Sequence, residues 1–132
     1  MKIIAIMPTY ARKTMALNAI RSVYEQTKKP DVFIVLDNGS RDGTKEVLEN
    51  FLKQDAIKEK QIDFQVIRKE ENLGASYGMQ YLFKEALKQN ADWIWVMDDD
   101  ALAKPDALEK LMSSKAFQDP ESYILESKIT DS

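Results

Sequence analysis

Short runs of consecutive apolar residues alternate along this chain with longer stretches in which apolar residues recur every three or four positions. The first pattern marks strands buried on both faces, and the second marks helices with one buried stripe. Residues 2–7 are the first such run, cut by Pro8. Ala16, Ile20, Val23 and Tyr24 then follow helical spacing as far as Lys28, Lys29 and Pro30, where the helix should stop. Residues 32–36 form a second strand, ended by Asp37, Asn38, Gly39 and Ser40, which suit a turn. Thr44, Val47, Leu48, Phe51 and Leu52 give a second helical stripe, and the charged stretch 55–60 reads as its solvated end and connection. Residues 62–67 predict a third strand, and Ala75, Met79, Leu82 and Ala86 a third helix. Residues 93–97 predict a fourth strand, Leu108, Leu111 and Met112 a short fourth helix, and 123–129 a fifth strand.

Strand and helix alternating at this spacing predict an α/β fold: a Rossmann-like, doubly wound, mostly parallel sheet. Residues 1–132 contain no internal repeat or linker and read as a single domain. Ligands of such sheets bind beyond the carboxyl ends of the strands, near the point where strand order reverses. The positions to examine are therefore Pro8, Thr9 and Tyr10, then Asp37 and Asn38, then 69–74, and Asp98 to Asp100. If the first strand lies between the second and fourth, its edge and theirs meet in one crevice.

Composition narrows the chemistry. Hydrophobic residues make up 44% and charged residues 31%, a balance that supports a buried core. With 19 basic and 22 acidic residues the formal charge is -3. Nothing in that balance attracts nucleic acid or an anionic membrane, so a phosphorylated ligand requires a local source of positive charge. Cysteine and histidine are absent. That excludes disulfides, thiolate catalysis and imidazole proton transfer, and leaves hard oxygen donors that favour Mg2+, Mn2+ or Ca2+. The apolar run before Pro8 is too short for a signal peptide or a transmembrane segment, so a cytoplasmic protein is expected.

Asp98, Asp99 and Asp100 are the sharpest feature. Neighbouring carboxylates repel by roughly 3 kcal/mol per pair at about 5 Å and an effective dielectric near 20. A cation or partial protonation must relieve that repulsion. In an extended chain Asp98 and Asp100 project to one side and Asp99 to the other, so a dication can take one or both outer carboxylates and still accept phosphates. The alternative is a solvated acidic turn, but the triplet directly follows a strand that reads as buried.

Asp37 can accept from a uracil or thymine imide or from ribose hydroxyls, and Asn38 offers both donor and acceptor; both also suit a plain turn. Asp42 is placed to cap the helix starting near Thr44. Asn72 and Gly74 open the third helix, with small residues that let backbone approach an anion, although no dinucleotide or P-loop fingerprint is present. Gly78 can serve close helix–sheet packing. Tyr10 can stack on a base and Arg12 can meet a phosphate, or Arg12 can simply start a helix. Trp93 and Trp95 read as core rather than as a sugar platform.

Four segments in order carry a family resemblance: Ile6-Met7-Pro8-Thr9-Tyr10-Ala11-Arg12, then Val35 through Thr44, then Glu71-Asn72-Leu73-Gly74, and Met97-Asp98-Asp99-Asp100 followed by Pro105. Together they resemble family 2 glycosyltransferases, which have the nucleotide-diphospho-sugar transferase (GT-A) fold. The resemblance implies metal-dependent, inverting transfer of a sugar from a nucleotide-diphosphate donor to an acceptor hydroxyl. It implies that Pro8, Thr9, Tyr10 and Arg12 border the nucleotide and that Asp37 or Asn38 reads the base. Asn72, Gly74 and Asp99 would also face the donor. Asp98 would touch ribose or metal, and Asp100 would hold the Mn2+ or Mg2+ of the family's D-x-D motif. The implied partners are a UDP- or dTDP-sugar and an acceptor glycan or lipid-linked saccharide.

The chain departs from the pattern in places. Many members carry Asn where Ala11 stands and two acids where Asp37 and Asn38 stand. The family's acceptor site and catalytic carboxylate come later, so a truncated, donor-binding part is expected. Glu109, Glu121 and Glu126 match no motif, and no base is assigned. Two other readings stand beside this one: a non-catalytic nucleotide-sugar-binding module, and a receiver-like signalling domain, which would need paired acids where Pro8 and Thr9 stand.

Overall fold

The computed structural model describes residues 1–58, 62–114 and 124–126. The elements run β1 (Ile3–Thr9), α1 (Lys13–Tyr24), β2 (Val32–Asn38), α2 (Thr44–Lys58), β3 (Asp63–Lys69), α3 (Ala75–Lys88), β4 (Trp93–Val96), α4 (Ala107–Met112) and β5 (Ile124–Glu126). The sheet order is β3-β2-β1-β4-β5, and every neighbouring pair is parallel. The chain winds outward from β1 to β3 and then returns to place β4 on the other side of β1. The switch point therefore lies between β1 and β4, and β1 sits between β2 and β4 as the expected crevice requires.

Burial on both faces explains the apolar runs. On one face Ile3, Ala5, Met7, Phe33, Val35, Phe64, Trp93 and Trp95 pack with Ala16, Ile20 and Val23 of α1, Leu48 and Phe51 of α2, and Leu108 of α4. On the other, Ile4, Ile6, Ile34, Leu36 and Ile94 pack with Leu82 and Ala86 of α3. Trp95 is wholly buried, which confirms it as core. Tyr24, Phe51 and Phe64 meet edge to face with ring centroids 5.1 to 6.2 Å apart, the arrangement aromatic quadrupoles favour.

β1, β2 and β3 run further than the apolar pattern indicates, whereas β4 stops at Val96, one residue short of the expected 97. β1 includes Pro8 and Thr9, β2 includes Asp37 and Asn38, and β3 reaches Lys69. Ladder pairing carries them on: Thr9 is in register with Asp37, Asp37 with Arg68, and Asn38 with Lys69. Pro8 is tolerated in this central strand for a local reason. The carbonyl of Ile6 accepts from Met97 N at 2.9 Å, so β1 turns the bonding groups of Ile6 toward β4. Pro8, two residues on, turns its nitrogen the same way, past Val96, the last residue of β4. Its missing N–H forfeits no ladder bond. Only 124–126 of the expected 123–129 strand, and only the part of 55–60 within α2, fall among the described residues.

Two glycines set how closely the connections pack. A Cβ on Gly39 would lie 2.7 Å from the backbone of Glu71 and Asn72, and its φ is +81°. The loop after β2 thus touches the loop after β3 where no side chain fits. Gly78 lets α3 lie against the end of β2, since a Cβ there would be 3.2 Å from Leu36 Cδ2. Gly74, before α3, has φ +95° and ψ 157°, a conformation almost restricted to glycine, but open space around it. Gly74→Ala should therefore lose about 1–3 kcal/mol from backbone strain alone, and Gly39→Ala should lose more because backbone must also move. Urea unfolding of both variants checks this; a Gly39→Ala protein as stable as Gly74→Ala would contradict it.

Candidate functional site

β1 and β2 carry apolar side chains until their carboxyl ends, and polar ones follow there and at the end of β3. Thr9, Asp37 and Arg68 stand in one rank across β1, β2 and β3, continuing the face packed by α1 and α2. Asp37 is 1% exposed. Its Oδ2 accepts from Arg68 Nη1 at 2.7 Å, and its Oδ1 accepts from Ser40 N at 3.0 Å. Arg68 Nη2 also donates to the Ser40 carbonyl at 3.2 Å, and Ser40 Oγ accepts from Ala11 N at 2.8 Å. The loops after β1 and β2 are thereby tied to the end of β3 through Ser40, one buried carboxylate and one guanidinium. Arg68 is the cation that neutralises Asp37 at this edge, and sequence reading missed it. It lies beyond the apolar pattern of its strand, and only the register sets it beside Asp37.

The acidic triplet stands on the other side of β1. After β4 the chain turns, with Ala101 N donating to the Asp98 carbonyl at 3.2 Å. Asp99 is the embedded member: its Oδ2 accepts from the Thr9 hydroxyl at 2.9 Å and its Oδ1 from Arg12 Nη1 at 3.3 Å. The same Nη1 is 3.6 Å from Asp100 Oδ2. Asp98 and Asp100 are exposed. The turn lets Arg12 reach Asp100 as well as Asp99, so the strict alternation of an extended strand does not hold here. Thr9 and Arg12 join the end of β1 directly to the triplet.

Among the described residues no three acidic side chains converge as a ready-made metal cage. The donor set nonetheless fits Mg2+ or Mn2+, which take one or two carboxylates, keep water, and complete their shell with substrate phosphates. Asp98 and Asp100 are the exposed carboxylates that would hold it.

On the α3 face, Asn38 is 4% exposed and both ends of its amide are engaged. Its Nδ2 donates to the Gly74 carbonyl at 3.1 Å and its Oδ1 accepts from Leu73 N at 3.3 Å. Asn72 Oδ1 accepts from Gly74 N at 2.9 Å. Asn38 and Asn72 thus shape the loop entering α3, and no side chain caps that helix. Tyr10 is 48% exposed and Pro8 half-buried beside Gly78. Ala11 has φ +52°, a left-handed backbone that asparagine adopts more readily than alanine.

One further support was not legible in the sequence. Gln26 is almost wholly buried; its Nε2 donates to the carbonyls of Ser22 and Lys104 at 3.0 and 2.6 Å, and its Oε1 accepts from Leu108 N at 3.1 Å. Together with Ala103 N on Ser22 Oγ, it fastens the segment after the triplet to α1. Asp42 accepts from Thr44 N and Oγ1 and from Lys13 N, joining the starts of α2 and α1 as the capping expectation held. The Thr44 hydroxyl is the main reason its carboxyl is held below the ordinary value. Glu109 accepts from the Thr27 hydroxyl at 2.6 Å, Glu126 lies in β5 in register with Val96, and Glu121 lies outside the described residues.

The family model for glycosyl transferase family 2 matches residues 4–125. This chain belongs to that family. It is 33% identical over 95% of its length to an uncharacterized glycosyltransferase, YfnE, of Bacillus subtilis (strain 168), and 28% identical over 73% to the galactofuranosyltransferase GlfT1 of Mycolicibacterium smegmatis. It spans 29% of the length of each of these relatives. Among solved structures it is similar to S. aureus TarS 1-349 in complex with UDP, with a TM-score of 0.69 and 20% identity over 86% of this chain and 31% of that one. It is also similar to the mannosyltransferase PcManGT from Pyrobaculum calidifontis in complex with GDP-Man and Mn2+, with a TM-score of 0.67 and 21% identity over 87% and 33%. These likenesses confirm the GT-A fold, and family membership sets the receiver-like reading aside. Among the described residues no helix is long and apolar enough to cross a membrane.

The Asp37–Arg68 pair yields a stability prediction. Arg68→Met keeps the stem but strands a buried carboxylate, which should cost on the order of 3 kcal/mol. Asp37→Asn combined with Arg68→Met removes that charge and should recover part of the loss. Chemical denaturation of both variants decides it, and a double variant no more stable than Arg68→Met would contradict the pairing.

Proposed function

We propose that the chain is the donor-binding part of a metal-dependent, inverting glycosyltransferase that uses a UDP- or dTDP-sugar. The observation that carries this reading is the pair of charged clusters flanking the end of β1: Asp37 with Arg68 on one side, Asp98 to Asp100 with Arg12 on the other. One suits the polar edge of a base and the other a diphosphate. The neighbours that hold UDP, and GDP-Man with Mn2+, support a nucleotide donor and a dication.

In this reading the base stacks on Tyr10 and lies along Pro8 and Thr9. Asp37 leaves lone pairs unused by Arg68 and Ser40, and Arg68 has N–H donors to spare, so the two read an imide and its carbonyls together. Asn38 acts through the loop it holds, which brings Asn72 and Gly74 to the donor. Arg12 meets the diphosphate, Asp99 keeps Thr9 and Arg12 in place, Asp98 takes ribose or metal, and Asp100 takes the metal. When bound, Mn2+ or Mg2+ offsets the charge of the leaving diphosphate. The acceptor, a glycan or lipid-linked saccharide, and the base that deprotonates its hydroxyl would belong to a longer protein working in the cytoplasm.

Calorimetry of nucleoside diphosphates with and without Mn2+ tests this. UDP or dTDP should bind in preference to ADP, and only with Mn2+ or Mg2+ present. Asp100→Asn should weaken the metal-dependent binding at least about tenfold, a loss equivalent to one charge-assisted contact, without lowering the unfolding temperature. Equal UDP affinity in excess chelator would overturn the reading.

A further inference from the structure

We propose that Arg12 is the resident counter-ion of the acidic triplet and exchanges places with the dication when the donor arrives. Metal and diphosphate then bind as a coupled pair, and the metal alone binds weakly. This exchange presupposes the donor reading above.

Arg12 Nη1 is 3.3 Å from Asp99 Oδ1 and 3.6 Å from Asp100 Oδ2, so one guanidinium serves two carboxylates. The two contacts differ in kind. Asp99 is 13% exposed and also accepts from Thr9, whereas Asp100 is 55% exposed and meets Arg12 only at the longer 3.6 Å. The Asp99 contact is built into the fold, and the Asp100 contact can be given up. Arg12 itself is 51% exposed and precedes the first turn of α1, so its side chain has room to swing.

A dication arriving alone at Asp100 must dislodge or repel a guanidinium that gains nothing in return. A dication arriving with a diphosphate brings phosphate oxygens, which a guanidinium binds through paired, charge-assisted hydrogen bonds. The same residue then penalises the bare metal and rewards the metal–diphosphate pair. Such coupling is reciprocal: the diphosphate raises metal affinity by the factor by which the metal raises diphosphate affinity. A neutral side chain at position 12 should remove both effects at once.

The test uses the whole chain as wild type, Arg12→Met and Arg12→Gln, in two calorimetric titrations: Mn2+ alone, and UDP in excess Mn2+. Both variants should bind Mn2+ alone about two- to fivefold more tightly, the range expected for losing half-exposed ion pairs. Both should bind UDP in excess Mn2+ about tenfold more weakly. The factor by which UDP enhances Mn2+ binding should fall accordingly. Mn2+ affinity that is unchanged or reduced, including no binding to any of the three proteins, overturns the exchange. So does UDP affinity that is unchanged or increased, since Arg12 would then be only a competing cation. Failure of the donor reading looks different: wild-type protein would bind UDP equally well with or without Mn2+, or not at all.

Discussion

A parallel sheet covered by helices on both faces leaves its strands no room for charge along their length. In this protein β2 lies buried from end to end and β1 everywhere but at Pro8, and their apolar side chains divide between two layers. Polar groups are admitted only where the covering helices give way, at the carboxyl ends. Parallel register then does the rest. Because every strand runs the same way, every polar end arrives at the same edge, and Thr9, Asp37 and Arg68 become neighbours although 59 residues of sequence separate the first from the last. The site follows from how the core is buried.

At that edge the charges are arranged so that few are left without a partner. Asp37 is engaged by Arg68 and Ser40, Asp99 by Thr9 and Arg12, and Asn38 by the backbone of the loop entering α3. Buried polar groups left unsatisfied cost more than the bonds they make are worth, so these networks fix the loops as well as the side chains. Asp98, Asp100, Tyr10 and part of Arg12 are exposed at the same edge.

Much of this was legible in the sequence because apolar runs report burial directly. The element order, the doubly wound sheet, the core role of Trp95 and the capping by Asp42 all follow from residue type and spacing. The strand ends did not, because Pro8, Asp37 and Asn38 are residues that ordinarily stop a strand, and only ladder pairing with β3 and the early end of β4 keeps them in the sheet. Arg68 was illegible for a related reason: its partner is 31 positions away, and charge at the end of a strand looks like surface. Gln26 drew no notice in the sequence because its partners, Lys104 and Leu108, lie about 80 positions away, in a segment whose course no local pattern gives. Pairwise contacts across the fold are what single-sequence periodicity cannot carry.

The central claim is that the carboxyl edge around β1 is one continuous donor site. Amide shift mapping by NMR tests it most directly, with UDP added in the presence of Mg2+. The account predicts that the perturbed amides fall in residues 9–12, 37–40, 68–74 and 98–101, spanning both sides of β1 at once. Perturbations confined to one of these loops, or spread along the opposite edge where the strands begin, would contradict it.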